Sequence, residues 1–87
     1  MMENASAGIT ITVEYFALFR ALTRKNEESL LVESASVSNV YRQLCERYGF
    51  SLEESSVHVA VNDEYATWDS QLRSGDKVVF IPPVSGG

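Results

Sequence analysis

The sequence predicts an α+β fold in which one mixed β-sheet is covered on one face by one main helix. Several short segments alternate apolar and polar residues as half-buried strands do, and only residues 37–48 carry a long apolar stripe at helical spacing. The 87 residues suffice for one domain. We expect a flexible N-terminus over residues 1–8, a folded domain over 9–81 and an extended arm over 82–87.

The first part of the chain predicts two strands joined by a short helical connection. In residues 9–15, apolar side chains at odd positions alternate with threonine and glutamate at even positions, which indicates a half-buried strand. Residues 17–23 have helical spacing for one or two turns. After a polar turn, residues 29–33 indicate the second strand.

The main helix has recognisable signals at both ends. Ser36 is placed to accept hydrogen bonds from the first free amides of the helix, and Gly49 is placed to end it in the left-handed conformation. Between them lies the apolar stripe, with neighbours three and four residues apart. Its members are Val37, Val40, Tyr41, Leu44, Cys45 and Tyr48.

The remaining chain predicts the strands that complete the sheet. Residues 57–61 alternate as a third strand, 65–68 form a short fourth strand, 69–72 suggest one helical turn, and 77–81 form the last strand. With one helix to cover one face, the first and last strands should lie side by side and parallel at the centre of the sheet. This order of elements predicts a β-grasp, or ubiquitin-like, fold.

The net charge, the lengths of the apolar runs and the cysteine count exclude several classes of protein. A net charge of −5 with no basic stripe argues against nucleic-acid binding. No apolar run approaches the roughly 20 residues that span a bilayer, so we expect no membrane segment. Cys45 is the single cysteine and residues 1–6 do not resemble a signal peptide, so we expect a reducing, cytoplasmic location.

The side chains offer no catalytic constellation. His58 is the single histidine and alternates with valines, which is typical of a strand surface, and Cys45 reads as a small buried hydrophobe. Gly75 lies in a turn and belongs to no phosphate-binding motif. We therefore expect this chain to bind no cofactor and no metal, and to act as a substrate or carrier for other proteins.

The unusual feature is the end of the sequence, residues 82–87. Pro82 and Pro83 end the last strand and hold the following residues extended, and at ~3 Å per residue the arm reaches on the order of 15 Å. Gly86 and Gly87 carry no side chain, so the terminal carboxylate of Gly87 is unhindered. We interpret this as an arm that delivers a carboxylate into another protein's active site; a frayed tail is the alternative.

The last strand also predicts a docking surface. If Val78 and Phe80 face the helix, Val79 and Ile81 point to the other side of the sheet. Together with Ala60 and, at the end of the first strand, Phe16, they leave a partly apolar open face that continues into the arm. Ordinary surface apolarity is the alternative reading.

At these residues the sequence resembles the small, sulfur-carrying subunits of molybdopterin synthase, the MoaD-type carriers of the MoaD/ThiS family. The resemblance covers residues 9–87. It is carried by Tyr15-Phe16-Ala17 with Arg20 and Leu22, by Ala60-Val61-Asn62, and by residues 72–87. The form G-D-x-V followed by P-P-V-S-G-G is the most specific part, whereas a bare terminal Gly-Gly is a weak signal.

The resemblance implies a function for the arm. An ATP-dependent adenylating enzyme of the ubiquitin-activating type would adenylate Gly87, and a sulfur donor protein would then supply the sulfur of a thiocarboxylate. The arm would enter the large subunit of molybdopterin synthase, in a heterotetramer, and donate sulfur for the dithiolene of molybdopterin, made from precursor Z. Our chain would be the non-catalytic, sulfur-donating subunit. The expected docking residues are Phe16, Ala60, Val79, Ile81, Pro82, Pro83, Val84, Ser85 and Gly86.

Three alternatives remain open from the sequence. The chain is similar to thiazole-pathway sulfur carriers, although those are usually shorter and lack the double proline. A ubiquitin-like modifier conjugated to lysines through Gly87 would use the same activation chemistry. A plain interaction domain with an inert tail is the third alternative.

Overall fold

A computed structural model describes residues 8–33 and 36–83. The strands are β1 (Ile9–Tyr15), β2 (Glu27–Val32), β3 (His58–Val61), β4 (Glu64–Ala66) and β5 (Lys77–Ile81), and the helices are α1 (Leu18–Thr23) and α2 (Val37–Tyr48). The flexible N-terminus was predicted over residues 1–8, of which only Gly8 lies within the described residues. Residues 84–87 of the predicted arm also lie outside it.

The strands form one sheet in the order β2-β1-β5-β3-β4. β1 and β5 run parallel at its centre, with Val13 opposite Val78 and Tyr15 opposite Phe80, and the other three pairings are antiparallel. This mixed sheet with one main helix is the predicted β-grasp architecture, and the central parallel pair is confirmed.

Helix α2 has the predicted caps. Ser36 has extended backbone dihedrals, and its hydroxyl accepts a hydrogen bond from the Asn39 N–H at 3.2 Å. Gly49 ends the helix at φ 74°, where a residue with a side chain would be strained, and its N–H donates to the Cys45 carbonyl at 2.8 Å. The helix begins and ends where these two signals place it.

The core lies between α2 and the inner face of the sheet. Its centre is aromatic: the Phe19 and Phe50 rings lie 4.7 Å apart, and Tyr41 and Trp68 lie 5.2 and 5.9 Å from the Phe80 ring. Aromatic pairs at these separations add to the stability gained from burial. The largest fully buried side chains include Phe19 from α1 and Phe80 from β5, so α1 and the last strand are both anchored in the core.

Three strands differ from the prediction at their boundaries, and of these β3 starts only one residue later than predicted, at His58. β2 starts at Glu27 and ends at Val32, a shift of one to two residues. β4 starts at Glu64 because Asn62 and Asp63, at φ 52° and 73°, make a two-residue hairpin turn directly after β3. Positive φ at both positions is typical of a type I′ turn, which asparagine tolerates well.

The predicted helical turn at residues 69–72 is wrong. The Trp68 and Ser70 carbonyls instead accept hydrogen bonds from Ser38 and Val37, at 2.9 and 3.1 Å. These donors belong to the first turn of α2, which has no partners within its own helix. Gln71 also makes a β-bridge with Ser36. Residues 67–70 form a turn in which the Ser70 N–H donates to the Thr67 carbonyl at 3.1 Å, and the chain then pairs with the start of α2. This is a tertiary contact that local helical spacing does not reveal.

Candidate functional site

Strand β5 divides its side chains between the two faces of the sheet. Val78 and Phe80 are completely buried beneath α2, whereas Val79 and Ile81 are half-buried on the opposite face, here called the open face. In the register of the sheet, Val79 lies opposite Ala60. The predicted orientation of the last strand is confirmed, and three of the expected docking residues share one surface.

An apolar groove lies where β5 ends. It has a volume of about 690 Å³. Its lining residues are Phe16, Ala17, Leu18, Leu52, Ile81, Pro82 and Pro83. The groove therefore brings together Phe16, from the end of β1, and the residues that precede the arm. Pro82 is buried and Pro83 is exposed, so the chain reaches the protein surface at Pro83.

One wall of the groove is a strained turn between β1 and α1. Ala17 has φ 49° and ψ −116°, close to the values of the first central residue of a type II′ turn, and the Phe19 N–H donates to the Phe16 carbonyl at 3.0 Å. A non-glycine residue there is destabilising by about 1–3 kcal/mol and persists because its surroundings hold it. The turn leaves Phe16 and Leu18 exposed, at 53% and 45% of their surfaces.

The opposite wall is tied to α2. The Tyr41 hydroxyl donates to the Leu52 carbonyl at 2.7 Å. Burial raises the pKa of Tyr41 well above its usual range, which favours the protonated form that donates this hydrogen bond. Both walls of the groove are therefore attached to the core. The turn at Ala17 is held by the buried Phe19 ring, and Leu52 is held by the hydrogen bond from Tyr41.

Three further surface residues, Tyr65, Leu18 and Leu52, were not predicted as docking residues. Tyr65 is 82% exposed, stands opposite Ala60 in the β3–β4 pairing, and with Asp63 and Ile81 borders a second depression of about 250 Å³ on the open face. An Asn-Asp two-residue hairpin predicts this pairing, because it places the second residue of β4 opposite the third residue of β3.

The remaining predicted residues fall outside the groove or outside the described chain. Ala60 and Val79 lie on the open face and do not line the groove. Val84, Ser85, Gly86 and Gly87 belong to the residues that the structure does not describe. His58 lies exposed on β3 with its ring 6.3 Å from the Tyr65 ring.

Cys45 shows no sign of activation as a nucleophile. It is partly buried against the core, and burial raises the pKa of its thiol, an effect that a hydrogen bond with Tyr41 only partly offsets. A raised pKa lowers the thiolate fraction at neutral pH. Within residues 8–33 and 36–83, His, Cys, Asp and Glu side chains form no group of three that could hold a metal ion.

A polar cluster centred on Glu28 lies at the end of α2, and none of its residues lines the groove. The Glu28 carboxylate accepts hydrogen bonds from the hydroxyls of Tyr15 and Tyr48 and from the Lys25 ammonium. Burial alone would raise the pKa of Glu28, but these three hydrogen bonds outweigh it and lower the pKa below 4.5. The cluster joins β1, β2 and α2, and we assign it a structural role.

In the described part of the chain, no helix is both long and apolar enough to cross a membrane.

These features define a β-grasp domain with an apolar groove at the end of its last strand. The family model described as the ThiS family matches residues 13–87, and the chain belongs to that family. A relative from Anopheles gambiae, named a molybdopterin synthase sulfur carrier subunit, is 31% identical; the alignment covers 99% of this chain and 100% of that protein.

Two solved structures are similar in fold. A molybdopterin converting factor subunit 1 from Pyrococcus furiosus has a TM-score of 0.72 and 34% identity, with 87% of this chain and 99% of that chain covered. A complex of subunits 1 and 2 of the molybdopterin-converting factor from Helicobacter pylori contains a chain with a TM-score of 0.64 and 20% identity; 91% of this chain and all of that chain are covered. The second likeness concerns the fold alone.

Proposed function

We propose that this chain is the sulfur-carrying subunit of a molybdopterin synthase. The observation that carries the proposal is that Pro82 and Pro83 line an apolar groove with Phe16, directly before the Val84-Ser85-Gly86-Gly87 sequence. A protein that binds in this groove contacts Pro82 and Pro83, the first residues of the arm that ends in Gly86 and Gly87. These two glycines have no side chains. The names of the relatives in the same family support the sulfur-carrier role.

The first chemical step activates the Gly87 carboxylate. A carboxylate is a poor electrophile because its leaving group would be oxide. An ATP-dependent adenylating enzyme joins the carboxylate oxygen to the α-phosphorus of ATP and releases pyrophosphate. The resulting acyl-adenylate has AMP as a good leaving group. ATP therefore binds the activating enzyme, not this chain.

The second step introduces sulfur. The terminal sulfur of a persulfide on a donor protein attacks the activated carbonyl of Gly87, and the C–O bond to AMP breaks, which gives an acyl disulfide. A thiolate then attacks the donor cysteine sulfur, so that the S–S bond breaks, a new disulfide forms with the donor, and the thiocarboxylate is released. That group is anionic and nucleophilic at neutral pH, as thiolates are. Gly86 and Gly87 present no Cβ, which lets the arm pass through a narrow channel.

The third step delivers the sulfur in the partner. The arm enters the active site of the molybdopterin synthase large subunit, in a heterotetramer of two small and two large subunits in the cytoplasm. There it donates sulfur for the dithiolene formed on precursor Z. The large subunit supplies the catalytic groups and the pterin pocket. Our chain supplies the sulfur and the docking surface formed by the groove and by Ala60 and Val79.

Intact mass tests the carrier role. The protein is incubated with ATP, the activating enzyme and a sulfur donor, and we expect a mass increase equal to replacing one oxygen by sulfur. Fragmentation should localise the change to Gly87, and a variant lacking Gly86 and Gly87 should show none. No change, with an activating enzyme that is active on a known carrier, would refute the proposal.

A further inference from the structure

The outer surface of α1 carries two different kinds of side chain on its two flanks. Successive helical residues are rotated by about 100°. Phe19 and Thr23 are buried, which places Leu18 and Leu22 together on one flank and Arg20 on the other. Arg24 caps the helix beside Arg20, whose carbonyl accepts the Arg24 N–H at 2.8 Å.

The two arginines stand out among the basic residues. Within the described part of the chain, the side chains of Arg20 and Arg24 make no hydrogen bond or ion pair, and both residues are exposed. The other basic side chains each have a neighbour. These are Lys25 and Arg47 at Glu28, Lys77 at Glu14, Arg42 at Asn39, and Arg73, whose charge helps lower the pKa of Asp76.

This arrangement is notable because the whole chain is acidic. The net charge is −5, so two exposed arginines that form no ion pair within the described residues make a local positive site on a negative molecule. Such a site attracts negatively charged protein surfaces and orients the encounter.

The leucine flank connects this positive site to the groove. Leu18 lines the groove, and Leu22, one turn further along, is 46% exposed. A partner that covers Leu18 in the groove lies one helical turn from Leu22 and about the width of one helix from the arginine flank. The apolar contact and the positive charge lie on one continuous surface.

We propose that the protein which docks on the groove also covers α1, packing an apolar side chain on Leu22 and presenting carboxylates to Arg20 and Arg24. This inference rests on the proposed function, in which the docking protein is the molybdopterin synthase large subunit. The exposed arginines act mainly on the association rate, because charges at the rim of an interface steer encounter. The leucine acts mainly on the dissociation rate, because its contact forms only in the bound complex.

Stopped-flow association with the large subunit tests the charge assignment. The variant Arg20→Glu/Arg24→Glu is compared with Arg42→Glu/Arg73→Glu, which has the same formal charge but alters cations elsewhere. At about 20 mM salt we expect the first variant to associate roughly tenfold more slowly than the unsubstituted protein. The control should stay within about threefold of the unsubstituted rate. Equal slowing of both variants would show an effect of net charge alone and overturn the assignment.

The dependence of the association rate on salt concentration is a second test of the charge assignment. Raising salt to about 200 mM should slow association of the unsubstituted protein, because attraction is screened, and should not slow the Arg20→Glu/Arg24→Glu variant. Circular dichroism checks that both variants are folded. An association rate of the unsubstituted protein that does not change with salt would contradict the inference.

A pair of leucine variants tests the apolar contact. Leu22→Ser should increase the dissociation rate, whereas Leu31→Ser, at a 66% exposed leucine on β2, should not. If the unsubstituted protein binds and Leu22→Ser dissociates no faster, α1 lies outside the interface and only this inference fails. If the unsubstituted protein does not bind the large subunit at all, the proposed function itself fails.

Discussion

The N–H of Phe19 donates to the carbonyl of Phe16 at 3.0 Å, and the two rings of this one turn point to opposite environments. Phe19 is completely buried in the aromatic core, and Phe16 is 53% exposed in the groove. The buried ring anchors the turn, and the unusual backbone of Ala17 between them directs the other ring outwards. The groove wall is therefore anchored to the core through Phe19.

Substitution of Ala17 should reveal this strain. A β-branched residue is strongly disfavoured at positive φ, so Ala17→Val should lower the free energy of unfolding by about 2 kcal/mol or more. The control Ala21→Val, at an exposed position within α1, should lower it by less than about 1 kcal/mol, the difference in helix propensity. Urea denaturation measures both. Equal effects would mean that Ala17 is not strained.

Glycine at the same position gives the complementary result. Ala17→Gly removes the clash at positive φ but makes the unfolded chain more flexible, and the two effects are similar in size. We expect the free energy of unfolding to change by no more than about 1 kcal/mol, in either direction. A large loss of stability would show that the Ala17 methyl group packs in the groove wall.

A charge on β5 should block docking without unfolding the domain. Ile81→Asp places a carboxylate on the partly exposed groove surface, and we expect at least about thirtyfold weaker binding to the large subunit, as for an interface hot spot. Leu31→Asp, at a more exposed leucine on β2, is the matched control and should bind normally. Calorimetric titration measures both affinities, and unchanged binding by Ile81→Asp would disprove the docking surface.

Tyr65 should contribute to the same surface. Because its side chain is 82% exposed, Tyr65→Ala should leave the thermal midpoint nearly unchanged. We expect the affinity for the large subunit to fall by about tenfold, since tyrosine anchors are frequent at interface centres. Equal affinities of the variant and the unsubstituted protein would limit the interface to the groove.

Glu28 should make stability depend on pH. Its pKa is lower in the folded state than its ordinary value of 4.5, so its contribution to stability is complete above that pH and is lost as the pH falls through the folded-state pKa. At pH 7, Glu28→Gln should lower the free energy of unfolding by about 1–2 kcal/mol, because hydrogen bonds to a charged acceptor are weakened.

The difference between Glu28→Gln and the unsubstituted protein should shrink once the pH is below the folded-state pKa, where both side chains are neutral. Glu27→Gln, at the neighbouring exposed residue, is the control and should change stability by less than about 0.5 kcal/mol at any pH. Chemical denaturation at a series of pH values measures all three proteins. A difference that does not vary with pH would show that Glu28 acts through packing rather than charge.

The candidate site was only partly predictable. Alternation in β5 correctly placed Val79 and Ile81 on the face opposite α2, because the strand period of two is a local property. The groove was not predictable, since its walls come from the β1–α1 turn and from Leu52, which the sequence separates by more than thirty residues. The neighbouring residues in the sequence do not strongly indicate either the positive φ of Ala17 or the exposure of Tyr65.

The sequence by itself determined the elements whose causes are local: the alternating strands, the capped helix α2, and hence the β-grasp order with β1 and β5 parallel at the centre. Only the tertiary structure decided how residues 69–72 run, because their backbone groups satisfy the first turn of α2 rather than their own local preference. It also decided that Phe16, Leu52 and Pro82 meet in one groove. Contacts between distant segments depend on how the core packs, and no single segment encodes them.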